Sequence, residues 1–104
     1  MSECDVKRIV EELVGSRRDD EIVVLLFMHA HASEAVLFSA VQLALGGGRY
    51  YASAKVTRAV LHSLIEKGLV RELYVTYYKK KIRVYVLTDC GMKVARVLSE
   101  IFRV

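Results

Sequence analysis

A chain of 104 residues can form one domain that buries roughly two-thirds of its unfolded surface, and a hydrophobic content of 54% exceeds what a monomer of that size needs inside. The net charge of +4 is unevenly spread: residues 1–45 hold four Lys/Arg against eight Asp/Glu, a balance of −4, and residues 46–104 hold twelve against four, a balance of +8. Two cysteines exclude a disulfide framework, and the longest apolar run, Ile22 to Met28, is far too short to cross a bilayer. Met1-Ser2-Glu3-Cys4-Asp5 lacks the basic-then-apolar pattern of an export signal, so a cytoplasmic protein without a membrane partner is expected. Asn and Pro are absent and Gln42 is the single glutamine; depletion of thermolabile amides points to a thermophilic source, with the lack of proline weighing mildly the other way.

Ser2 is the expected cap of a first helix ending at Gly15, with Val6, Ile9, Val10, Leu13 and Val14 on one face. Arg17-Arg18-Asp19-Asp20 reads as a charged turn in which Asp20 caps the next element. Ile22 to Met28 is apolar throughout, and periodicity does not separate a buried strand from a buried helix there. Ser33 is the expected cap of a helix over 34–45 with Val36, Leu37, Val41 and Leu45 as core. Gly46-Gly47-Gly48 ends it. With Arg49 next, rather than Lys-Ser/Thr, the glycines are not a phosphate loop and read as a flexible joint before Arg49-Tyr50-Tyr51.

Ser53 to Gly68 has a helix-capping residue at one end and a left-handed terminator at the other. Val56, Val60, Leu61, Leu64 and Ile65 share a broad apolar face, while Lys55, Arg58 and His62 fall within about 60° of each other on the opposite one. After Gly68 the period becomes two. Leu69 to Tyr78 and Ile82 to Leu87 have strand composition, with Lys79-Lys80-Lys81 as the tip between them. Lysines at a hairpin tip also discourage edge-to-edge aggregation, and Tyr77 and Tyr78 read as cross-strand packing. Thr88 is the expected cap of a last helix with Val94, Val97, Leu98, Ile101 and Phe102 on one face.

Two stretches carry a resemblance. Ser53 to Val70, ending Leu64-Ile65-Glu66-Lys67-Gly68-Leu69-Val70, resembles the recognition helix of MarR/PadR/ArsR-type winged helix-turn-helix regulators. Tyr85-Val86-Leu87-Thr88-Asp89-Cys90-Gly91 resembles the segment that closes their wing. With the upstream helices, the resemblance covers roughly residues 20–104 and is archaeal-like in character. It implies a mainly α fold with a small β-hairpin: one domain over 1–104, comprising an extra helix at 2–15, a winged-helix core at 20–88 and a terminal helix at 89–104. The link between the two central helices is then the turn of the helix-turn-helix, longer here than usual.

The implied activity is sequence-specific binding of double-stranded DNA by a homodimeric transcriptional regulator. Ser53, Lys55, Thr57, Arg58 and His62 are the candidate reading residues, because Arg pairs bidentately with guanine and hydroxyls bond phosphate or bases. Lys79, Lys80, Lys81 and Arg83 form the candidate wing contact. Terminal helices interdigitate in MarR-type relatives, which implies a dimer interface of Val6, Ile9, Val10, Leu13, Val94, Leu98, Ile101 and Phe102. The competing reading is a winged-helix module that binds protein in a transcription, replication or membrane-remodelling assembly; it would more often show an apolar or acidic outer face where this chain is basic.

No nucleophile–base pair, phosphate loop or paired carboxylates supports an enzyme, and no cofactor is expected. His29 and His31 lie two apart, pointing roughly 200° from each other on a helix, and no Cys-x-x-Cys or His-x-x-x-His spacing suggests a metal. Cys4 and Cys90 stand at the starts of the first and last helices, and in a hyperthermophile a disulfide within or between chains is open to them.

Overall fold

The computed structural model describes residues 4–31 and 34–103. Helix α1 is Val6–Gly15, and its cap is Asp5, whose carboxylate accepts the Arg8 amide at 3.1 Å. Ser2, the expected cap, lies outside the described residues. The ambiguous apolar run is helical: α2 spans Asp19–Ala30. Asp20 does not cap it but sits with Asp19 and Glu21 in its first turn, where acidic groups oppose the positive end of the helix dipole. Ile22, Val24, Leu25 and Met28 are all buried, and α2 packs against α1 and against each of the helices described next.

The third helix begins later than expected. Val36–Leu37 form a short strand, β1, and α3 spans Phe38–Leu45. The cause is a distant pairing. Val36 and Leu37 lie antiparallel to Tyr85 and Val84, which holds their backbone extended, with Leu37 at φ −81° and ψ 157°. Val36 and Val41 are core, Leu45 packs at its border, and Leu37 is exposed instead of buried. Ser33 is outside the described residues.

The glycines after α3 make a hydrogen-bonded turn in place of a flexible joint. Gly48 N–H donates to Leu43 O at 2.9 Å, Ala52 N–H to Gln42 O at 3.0 Å, and the Gln42 amide returns a bond to Ala52 O at 2.9 Å. A Cβ on Gly46 would overlap the Tyr50 carbonyl oxygen, and Gly47 and Gly48 have φ of 69° and 79°, a region that favours glycine.

Helix α4 is Ala54–Glu66, capped by Ser53, whose hydroxyl accepts the Val56 amide at 3.1 Å. Its inward stripe is Thr57, Val60, Leu61 and Leu64, spaced i, i+3, i+4 and i+7. Val56 falls one step off that stripe and is exposed, contrary to expectation. Thr57 takes the inward place because its hydroxyl is satisfied, donating to the Ser53 carbonyl at 2.9 Å.

Strands β2 (Val70–Tyr77) and β3 (Lys80–Leu87) pair antiparallel, and the sheet order is β1-β3-β2. Tyr77 pairs with Lys80, so the tip is the two-residue turn Tyr78-Lys79, both with positive φ as a type I′ turn requires. The tip is therefore not the three lysines: Lys80 and Lys81 belong to β3. Tyr77 and Tyr78 are exposed, with their rings edge to face 4.4 Å apart.

Helix α5, Asp89–Phe102, is capped by Thr88, whose hydroxyl accepts the Gly91 amide at 3.0 Å and donates to Gly68 O at 2.6 Å. It lies on α1 and α2 within the same chain. Val10, Leu13, Val94 and Leu98 are buried there, which removes them from any surface offered to a second copy. Val6 and Ile9 are partly covered, while Ile101 and Phe102 remain exposed. The start of the chain is joined to the head of α5: Cys4 and Cys90 form a disulfide with Cα atoms 5.6 Å apart. Closing a loop with a sequence separation of 86 removes conformations from the unfolded chain; on the chain-entropy account this contributes about 4–5 kcal/mol. Thermal melting with and without reductant should therefore show a large loss of stability on reduction, matched by Cys90→Ser; equal melting temperatures would contradict a structural disulfide.

Candidate nucleic-acid interface

The pose of α4 is fixed at both ends. At its C-terminus Gly68 has φ of 75°, and Leu69 N–H reaches back to Leu64 O while Gly68 N–H reaches Ile65 O, both at 3.0 Å. The chain thus turns directly from α4 into β2. The same end is tied to α2 by an ion pair. The Glu21 carboxylate, almost wholly enclosed, accepts from Lys67 Nζ at 2.5 Å and Ser63 Oγ at 3.2 Å, with Arg18 Nε at 4.0 Å. A buried carboxylate with these partners constrains the distance and rotation between the two helices.

Lys55, Arg58 and His62 project from the exposed side of α4, together with Ala59. Ser53 is exposed, though its hydroxyl is engaged in the cap. Thr57 does not belong with them: it is fully buried, and its inward position takes it off the exposed face. His62 Nε2 lies 2.6 Å from Glu66 Oε1 one turn along, so this basic group is already partnered.

Strand register sorts the hairpin residues into two faces, because directly paired residues share a face and neighbours along a strand alternate. Glu72 with Tyr85, Tyr74 with Arg83, and Thr76 with Lys81 lie on the face turned toward α4. Lys80, paired with Tyr77, lies on the other. Arg83 Nε is 2.6 Å from Glu72 Oε1, and its guanidinium lies over the Tyr74 ring at 5.6 Å from the centroid. Tyr85 is in the core with Phe38 packed against it, their ring centroids 6.5 Å apart, and burial raises its phenol above the ordinary value.

Between α4 and the hairpin runs a groove of about 410 Å³ lined by Arg58, Ala59, Leu61, His62, Ile65, Glu72, Arg83 and Tyr85. A second hollow of about 300 Å³ adjoins it, lined by Phe38, Arg58, Tyr74, Lys81 and Arg83. Arg58 and Arg83 border both. The arrangement brings together Arg58, His62, Lys81 and Arg83, and leaves Lys79 at the tip and Lys80 behind. Glu72 and Tyr74, which orient Arg83, do not stand out in the sequence; only the register fixed by the Tyr78-Lys79 turn pairs Arg83 with Tyr74 and puts both on the face that carries Glu72. Among the described residues no helix is long and apolar enough to cross a membrane, and no three His, Cys, Asp or Glu could jointly hold a metal ion.

Neither models of protein families nor curated proteins match the sequence. Solved structures do match in shape. MepR, a transcription regulator of the Staphylococcus aureus multidrug efflux pump MepA, superposes with a TM-score of 0.68 over 95% of this chain and 69% of its own, at 16% identity. MepR in complex with DNA gives 0.68 over 92% and 81%, also at 16% identity. A PadR-like transcriptional regulator from Bacillus cereus gives 0.66 over 89% and 86%, again at 16%. The chain has the winged helix-turn-helix fold. In that architecture α4 is the second helix of the helix-turn-helix and β2–β3 the wing, with α1 and α5 as the flanking helices.

Removing the tie at the base of α4 has a calculable effect. Lys67→Ala leaves the Glu21 carboxylate enclosed with Ser63 as its remaining close donor, and loss of a hydrogen bond to a charged group costs about 1.5–3 kcal/mol. Urea unfolding should report a loss of that size; an unchanged midpoint would show that the ion pair holds nothing.

Proposed function

We propose that this chain is a transcriptional regulator that binds double-stranded DNA sequence-specifically as a homodimer. The observation that carries the reading is the position of Arg58, which borders the groove with Arg83 and also the adjoining hollow with Lys81 and Arg83. Helix and wing thus offer one continuous basic surface, drawn from the half of the chain with a balance of +8. A recognition helix in the major groove brings Lys55 and Arg58 to base edges, and Arg pairs bidentately with guanine O6 and N7. Lys81, Arg83 and the tip Lys79 meet phosphates beside it, which fixes register without reading sequence. The likeness in fold to MepR, seen in complex with DNA, agrees with this use of the surface. A protein-binding winged helix would more often show an apolar or acidic face between α4 and the wing, where this chain is basic.

Support for the dimer comes from apolar residues that α1 and α5 leave uncovered: Val14, Ile101 and Phe102 are exposed, and Val6 and Ile9 only partly covered. A two-fold axis through that surface would set the two recognition helices on one side, about 34 Å apart for successive major grooves.

Duplex binding should weaken steeply with salt. Arg58→Ala should cost about 1–3 kcal/mol of discrimination among sequences, and Lys81→Ala should weaken all sequences alike and reduce the salt slope by about 1. Lys80→Ala, on the opposite face, should do less than Lys81→Ala. Fluorescence anisotropy across a salt series reads all three, and absence of duplex binding at low salt would refute the function. Light scattering at micromolar concentration should give a dimer mass for the wild-type chain and a folded monomer for Ile101→Glu/Phe102→Glu; a monomeric wild type would refute the dimer.

A further inference from the structure

The sheet has a second face, and it too is apolar. On the side toward α4, Val36, Val70, Tyr85 and Leu87 pack into the core. On the outer side, Leu37, Val84 and Leu73 form a row across all three strands, with Val75 and Ile82 beside it and Val86 beyond. Val84 is only 6% exposed, and Leu73, Ile82 and Val86 on the same face are half-buried. Leu37 and Val75 stand 48% and 44% exposed. A soluble antiparallel sheet with one solvated face ordinarily places polar residues there; six apolar side chains on three short strands depart from that pattern and mark a contact surface.

The charges around the patch say what fits it. Of the strand residues on this face, Arg71 and Lys80 alone are charged, one toward each end. A second copy packed face to face would set basic groups against basic groups whichever way it ran. DNA has no use for the apolar centre, and the dense basic surface lies on the other side. An acidic protein segment with apolar side chains satisfies both features. Such a segment can lie extended along this face, with alternate side chains turned toward it. We propose that the outer face of the sheet docks an extended, acidic, apolar segment of a partner protein while the opposite side of the wing stays free. The site is independent of the DNA-binding reading, since it shares no residue with the basic groove.

Short random peptides displayed on phage can be selected against the immobilised full chain and counter-selected against Leu37→Lys/Val75→Lys. Both replaced side chains are exposed, so the variant should keep the wild-type melting temperature, read by circular dichroism. Enriched peptides should carry apolar residues at alternate positions and net negative charge, and synthetic copies should bind wild type at least about tenfold more tightly than either Leu37→Lys/Val75→Lys or Arg71→Glu. Enrichment of basic or uncharged peptides, or equal binding to the variants, would overturn the proposal. So would a wild-type dimer that Leu37→Lys/Val75→Lys converts to a monomer, because a second copy would then own the face. Duplex binding, measured in parallel, should be unchanged in Leu37→Lys/Val75→Lys, which keeps the two readings separable.

Discussion

The burial of α2 is the constraint on which the other elements depend. Ile22, Val24, Leu25 and Met28 cannot be left in water, and a helix apolar on so much of its circumference has to be enclosed. The enclosure is made by α1, α3, α4 and α5. That demand uses the inner faces of both terminal helices, which is why Val10, Leu13, Val94 and Leu98 are spent within the chain. It also gives Glu21, at the head of α2, a place beside Lys67 and Ser63, so the same helix that organises the core sets the angle of α4.

From α4 the consequence passes to the hairpin through Gly68 without an intervening loop. The sheet is then held by Tyr85 and Leu87 against the core and by Thr88, whose hydroxyl bonds both Gly68 O and the Gly91 amide. Gly91 itself approaches the Leu69 carbonyl so closely that no side chain would fit, which locks the start of α5 to the junction between α4 and β2. Groove geometry is thus a product of backbone connections, and the positions of Arg58 and Arg83 across it follow from helix phase and strand register. The two faces of the sheet divide accordingly: charge is concentrated toward α4, and apolar surface is turned away from it.

Features set by local chemistry were legible in the sequence. Ser53, Gly68 and Thr88 act as the caps and terminator their types suggest, because capping involves bonds only a few residues away. Strand composition located the hairpin, whereas periodicity left Ile22 to Met28 open between strand and helix. What could not be read depends on partners far along the chain. Leu37 pairs with Val84 and so delays α3; no signal near Leu37 announces a strand that forms forty-odd residues later, as the register shows. Thr57 outranks Val56 for the interior only because Ser53 O satisfies its hydroxyl and the stripe happens to pass through it. The lysine run hid its own division, since a turn at Tyr78-Lys79 uses left-handed backbone at residues that do not advertise it. Whether an amphipathic terminal helix faces its own core or a second copy is likewise a question of tertiary packing, and here Val94 and Leu98 face inward while Ile101 and Phe102 do not.

The central claim is that α4 and the inner face of the wing form one surface for duplex DNA. Nuclear magnetic resonance of the isotope-labelled chain, titrated with duplex at low salt, tests it residue by residue. The account predicts shifts at Lys55, Arg58, His62, Lys81 and Arg83 together, over one range of DNA concentration, with Leu37, Leu73 and Val75 left unmoved. Shifts concentrated on the outer face of the sheet, or wing shifts without any on α4, would contradict it.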